Sequence, residues 1–173
     1  MKRLLFSLMV LLSALHASAQ TDSISQPRYG YLSYDSALVA MPEYAIFQQN
    51  MRQLRNAYEQ EVKRVEDEFN QKYEAFLEGQ RDFPRTILLK RQTELQQLMQ
   101  QNIEFKAQGR RDLQQAEAEA LKPLRVRLNE TLATIARKYG LELIVNTDAN
   151  ACPFIDPALS IDIEEEAKAL LAQ

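Results

Sequence analysis

Apolar residues recur at intervals of three and four at Phe47, Met51, Leu54, Tyr58, Val62, Val65, Phe69, Tyr73 and Phe76. That spacing lays one apolar stripe along a long helix, while charged and amide residues fill the other faces. A second stripe runs through Leu88, Leu95, Leu98, Phe105 and Leu113. Between Pro42 and Leu121 the pattern is broken only around Gly79 to Pro84. It predicts an antiparallel helical hairpin, with an outgoing helix from Pro42 to about Gly79. That leg is roughly 57 Å long at 1.5 Å per residue.

The punctuation supports this reading. Pro42 suits the first position of a helix, where a missing N–H has no partner to lose. Gly79 is expected as a C-cap and Pro84 as the first residue of the return helix. The return helix has no stop before Tyr139-Gly140, so a kink is expected at Pro123, level with Pro42. With the tip centred near residue 81 or 82, Tyr58 faces Phe105, Val65 faces Leu98, Phe69 faces Leu95, and Phe76 faces Ile87 and Leu88. Leu54 is then expected against Gly109, large against small. Leu77, Ile87, Leu89, Met99 and Ile103 fall off the stripes.

The two ends of the chain read differently. Tyr29 to Ser33 forms a short aromatic strand, and Ser33 or Asp35 can cap a small helix through Val39. Leu124, Leu128, Leu132, Ile135 and Tyr139 continue a helical stripe that Gly140 ends. Leu141 to Val145 is a second strand and Asn146 to Asn150 a turn. Ala151 to Ile155 is expected as a third strand, kept to an edge by Pro153. Asp162 and Glu165 make a capping box for a last helix through Leu171. The fold class is α+β. The expected layout is a signal peptide at 1–19, a body of 28–41 plus 123–173, and a hairpin arm at 42–122 with its tip near 79–84. A body this small, and an arm burying one face of each helix, argue for self-association.

The N-terminus adds a compartment. Lys2 and Arg3 precede the apolar run Leu4 to Leu15, which is too short to span a bilayer, and Ala17-Ser18-Ala19 is a small-residue cleavage site. Cleavage near Ala19/Gln20 implies export to the periplasm. It removes Lys2 and Arg3, taking 21 basic residues to 19 against 24 acidic, a net charge of −5. It also removes His16, the one histidine.

Without a mature histidine there is no Ser-His or Cys-His pair and no His-based metal site, so no catalytic residue is expected. Cys152 beside Pro153 reads as a buried structural thiol. Asp148-Ala149-Asn150 lacks the glycine and the final Glu of a calcium loop, so no metal or cofactor is expected. The spread of charge points away from nucleic acid. What remains is a surface, and the arm aromatics and their neighbours are its candidates: Phe69, Tyr73, Phe76, Leu77, Phe83, Ile87 and Leu89.

Tyr29-Gly30-Tyr31-Leu32, then Met41-Pro42-Glu43-Tyr44, a charged hairpin, Tyr139-Gly140-Leu141-Glu142-Leu143-Ile144-Val145-Asn146 and a capped helix near Ile161-Asp162-Ile163 follow in a familiar order. The chain resembles the Skp/OmpH family of periplasmic chaperones over essentially all of its mature length. That resemblance implies a homotrimer whose strands, including Tyr29, Tyr31, Leu32, Leu143, Ile144, Val145 and Phe154, build a small barrel. Three arms would hang from it, based at Pro42 and Pro123 and turning at Gly79 and Pro84. It also implies an ATP-independent holdase that keeps unfolded outer-membrane proteins in a cavity between the arms. A coiled-coil adaptor or spacer without chaperone activity is the alternative. This chain departs from the strongly basic members of the family. From Lys72 to Glu94 five basic residues face four acidic ones. The acidic balance gives no support to contact of the tip with a membrane surface or lipopolysaccharide.

Overall fold

The structure, a computed structural model, describes residues 28–173. The expected signal peptide lies outside the described residues. Strand β1 (Tyr29–Leu32) leads to helix α1 (Tyr34–Val39), then α2 (Pro42–Gly79) and α3 (Arg85–Tyr139). Strand β2 (Leu143–Asn146), a short 3-10 turn (Asp148–Asn150), strand β3 (Ser160–Asp162) and helix α4 (Glu164–Leu171) complete the chain. Among the described residues no helix is long and apolar enough to cross a membrane.

The two long helices follow the expected signals. Met41 is extended and Pro42 opens α2, which runs 38 residues. Helix α3 is continuous for 55 residues with Pro123 in its interior, and Gly140 closes it at φ +65°, a left-handed cap open to glycine at little cost. Pro84 stands one residue before the position expected for it. Its carbonyl accepts the Leu88 N–H at 2.9 Å, so it is the cap rather than the first helical residue.

The sheet has the order β2-β1-β3, with β1 parallel to both neighbours. Tyr29 pairs with Leu143 and Ser160, and Tyr31 with Val145 and Asp162. Strands alternate sides, so Gly30 and Leu32 of β1 face inward and are buried. The other face carries Tyr29, Tyr31, Leu143 and Val145, half-buried except for Leu143, which is 51 % exposed. Among the described residues both outer edges of the sheet are unpaired.

Two strand expectations need correction. Ala151 to Ile155 is not a strand. Ala149 and Asn150 take positive φ values of 53° and 56°, Pro153 has no N–H to donate, and Phe154 is 78 % exposed. The third strand is Ser160–Asp162 instead. Cys152 accordingly sits half-buried in a loop, its thiol donating to the Phe154 carbonyl at 3.3 Å. Strand β2 begins at Leu143 rather than Leu141, because the Leu141 N–H is spent on the Ala136 carbonyl in closing α3. The capping box is half formed. Asp162 accepts the Glu164 N–H at 2.9 Å, but Glu165 turns forward to Lys168.

Buried apolar side chains gather at one end of the molecule. Leu32, Leu38, Met41, Phe47, Met51, Leu124, Leu128, Ile135, Ile163 and Leu171 form one cluster with Ala37 and Ala167. No described residue between 52 and 123 is buried.

Polar side chains lock the seam between sheet and helices. Ser33 caps α1 by accepting the Ser36 N–H, and donates its own hydroxyl to Asp148 at 2.5 Å. Asp148 also accepts the Asp35 N–H at 2.9 Å, which holds its carboxyl below the usual range, the Ser33 bond being the larger cause. Glu164 accepts from Lys168 at 2.6 Å, the Ser36 hydroxyl at 2.8 Å and the Ser33 N–H at 3.1 Å. Those donors, Lys168 first, pull the Glu164 carboxyl from 4.5 down to about 2.

A carboxyl whose pKa is lower in the folded protein stabilises the fold above its unfolded value and loses that effect as pH falls. Thermal unfolding should therefore show stability decreasing as pH is lowered from about 4.5 to about 2. Glu164→Gln should flatten that slope and cost about 1 kcal/mol at pH 7. An unchanged slope in the variant would show that Glu164 does not hold the seam.

Candidate binding surface on the helical hairpin

The arm's two legs meet through few large contacts. The Tyr58 and Phe105 rings lie 6.0 Å apart, as helix lengths predict, and the Tyr58 hydroxyl donates to the Lys106 carbonyl at 2.9 Å. Asn102 donates to the Val65 carbonyl at 3.0 Å. Ion pairs Arg55–Glu117 and Lys106–Glu66 bridge the legs at 2.7 and 2.5 Å.

Gly109 is matched by Tyr58, not Leu54. A Cβ at Gly109 would enter the Tyr58 ring, whereas Leu54 is 43 % exposed. The expected pairing counted residues and ignored direction. Side chains on a helix lean toward its N-terminus, and from α2 that carries the Tyr58 ring about one turn along α3, toward the body. At the tip, Gly79 is not left-handed as a C-cap glycine would be. Phe83 folds beneath it, where a Cβ would collide with the ring, and Phe83 and Phe76 lie 6.5 Å apart. Gly79 therefore serves by its small size.

The candidate residues divide between packing and exposure. Phe69, Phe76 and Phe83 are half-buried between the legs. Tyr73, Leu77, Ile87 and Leu89 are 41–53 % exposed. Tyr73 stacks on Phe69 with centroids 6.0 Å apart. Two grooves lie along the arm. One of about 520 Å³ is floored by Phe76, Phe83, Leu95 and Leu98 and edged by Lys72, Arg91 and Glu94. The other, about 290 Å³, lies between Phe69, Met99 and Ile103 beside the Glu66–Lys106 pair. Met99 and Ile103 were not among the candidate residues. They sit on a ridge with Leu89, at positions 89, 92, 96, 99 and 103, which is itself a helical repeat.

Several of the arm's charges pair with one another. Arg64 binds Glu61 at 2.7 Å and Glu68 at 3.5 Å, Lys72 binds Glu68 at 2.7 Å, and Lys90 and Arg91 both reach Glu94. Hydrogen bonds from Arg64 and Lys72 hold the Glu61 and Glu68 carboxyls below their usual value. These pairs are exposed, so each contributes little to stability. Basic and acidic residues are nearly balanced along the arm, which leaves the hairpin with small net attraction for a charged partner. Among the described residues no group of three or more His, Cys, Asp or Glu could hold a metal ion.

The described chain is thus a long exposed hairpin rooted in a small three-stranded body. The family described as outer membrane protein (OmpH-like) matches residues 28–171. The chain belongs to the OmpH-like family. No curated protein matches it. OmpH-like membership suggests a chaperone of outer-membrane proteins, and OmpH-like proteins are periplasmic. The family is not an enzyme family.

The close fit of Tyr58 on Gly109 in the OmpH-like hairpin can be checked directly. Alanine ordinarily gains about 1 kcal/mol over glycine within a helix. Gly109→Ala should instead destabilise by about 1–3 kcal/mol in denaturant titration, because the Tyr58 ring has to move. Adding Tyr58→Ala should turn the alanine into a net gain. A stabilising single variant would show that the legs are not packed this closely.

Proposed function

We propose that this chain is an ATP-independent periplasmic holdase that binds unfolded outer-membrane proteins in a cavity between helical arms. A signal peptide ending near Ala19 directs export. The chain divides into a body of 28–41 plus 123–173 and an arm of 42–122 that turns at 79–84. Three copies complete the body. The sheet's two unpaired edges and the exposed Leu143 beside Tyr29, Tyr31 and Val145 support self-association, since such edges are otherwise open to non-specific pairing.

One observation carries the reading. A leg of 38 residues has no buried side chain beyond Met51, yet the arm displays large apolar side chains to solvent. Apolar side chains left in solvent along the arm add little to its own stability, and those that share one side of it suit an interaction surface. Many weak apolar contacts suit clients of varied sequence, and binding of the unfolded chain needs no nucleotide.

Purified mature protein should run as a trimer in light scattering and suppress aggregation of a urea-unfolded outer-membrane barrel protein on dilution, with no nucleotide present. A well-folded trimer that leaves aggregation unchanged would overturn the holdase reading. Light scattering that returns a monomer would overturn the cavity. Capture of one stoichiometric partner, with indifference to Phe69→Gln, would instead identify an adaptor.

A further inference from the structure

The arm has two unlike faces. On α2 the positions 66, 70, 73 and 77 form one ridge, and on α3 the positions 89, 92, 96, 99, 103 and 106 form another. Glu66 pairs with Lys106, and Phe69, Asn70, Met99 and Ile103 border one groove, so both ridges lie on the same side of the hairpin. The arm has eight large apolar side chains exposed above 40 %, and five are on this side: Tyr73, Leu77, Leu89, Met99 and Ile103. The intervening ridge positions are the amides Asn70, Gln92 and Gln96. Between positions 66 and 77 and between 89 and 106 the ridges carry only the charges of Glu66 and Lys106, which neutralise each other at 2.5 Å; Arg85 and Arg110 stand one turn beyond the two ends of the α3 ridge. The opposite groove is edged by Lys72, Arg91 and Glu94.

Building on the holdase reading, we propose that the uncharged side is the client face, and that its occupant is an extended client segment of alternating apolar and uncharged polar residues. Two features fit that occupant. Apolar residues four apart on a helix are about 6 Å apart along the axis, as at Tyr73 and Leu77 or Met99 and Ile103. Alternate residues of an extended strand are about 6.6 Å apart, a near match over two or three side chains. Strands of outer-membrane barrels alternate in this way. The charge pattern also matches, since a face with no net charge neither attracts nor repels an uncharged segment. Its amides can bond a client backbone of any sequence. Client binding to this chain is then insensitive to salt, unlike capture by a cationic arm.

The test is the Kd of the full mature protein for a fluorescently labelled, urea-unfolded outer-membrane barrel protein, at about 50 and about 500 mM NaCl. The expected change between the two is under about two-fold, because apolar contact is not screened. Met99→Gln with Ile103→Gln should weaken binding by about ten-fold. Arg91→Gln with Glu94→Gln on the opposite side should leave Kd within about two-fold. All four positions are exposed, and circular dichroism confirms that each variant keeps its helices. Loss of affinity of about ten-fold or more in high salt, or equal losses from the two variant pairs, overturns the assignment of the face while the holdase reading stands. Absence of binding at both salt concentrations overturns the holdase reading and this proposal together.

Discussion

Everything in this molecule depends on one helix serving two environments. From Leu124 onward α3 buries Leu124, Leu128 and Ile135 in the body, while none of its residues before Leu124 is buried. Isolated helical hairpins of this kind gain little from propensity alone, and most helical stability in water comes from packing an apolar face. The body supplies that anchor. Leu128 and Ile135 share their cluster with Ala167 and Leu171 of α4, and Arg127 reaches both Glu43 at the start of α2 and the Leu171 carbonyl. The arm's root is thus fixed on three elements, so the exposed part need not be stabilised by its own core.

That division of labour frees the arm surface. A leg that buried its own apolar side chains would have none to offer a partner. Here Tyr58 and Phe105, with Phe69, Phe76 and Phe83 half-buried between the legs, hold the hairpin together with modest contacts, and other large apolar side chains remain in solvent. The seam between sheet and helices works by different physics. Asp148 and Glu164 draw the Ser33 to Ser36 segment into place with charge-assisted hydrogen bonds, which are stronger and shorter than neutral ones. Those bonds join stretches of chain more than a hundred residues apart, as the three parallel strands also do.

Sequence alone determined the parts governed by local rules. The bounds of α2 and the end of α3 at Gly140 follow from periodicity and from proline and glycine placement, and capping chemistry narrowed the cap of α1 to Ser33 or Asp35, of which Ser33 is the one used. Family membership was legible for the same reason, because the two end motifs are short, ordered and unusual together. Tertiary structure decided the rest. Three residues of β3 are too few to show a period, and they become a strand only because β1 lies alongside them. Residue counting pairs Gly109 with Leu54, whereas side-chain direction puts the Tyr58 ring over it. The two faces of the arm were equally hidden. A stripe can be read from one helix, but which residues share a side of a hairpin depends on how the second helix is rotated against the first.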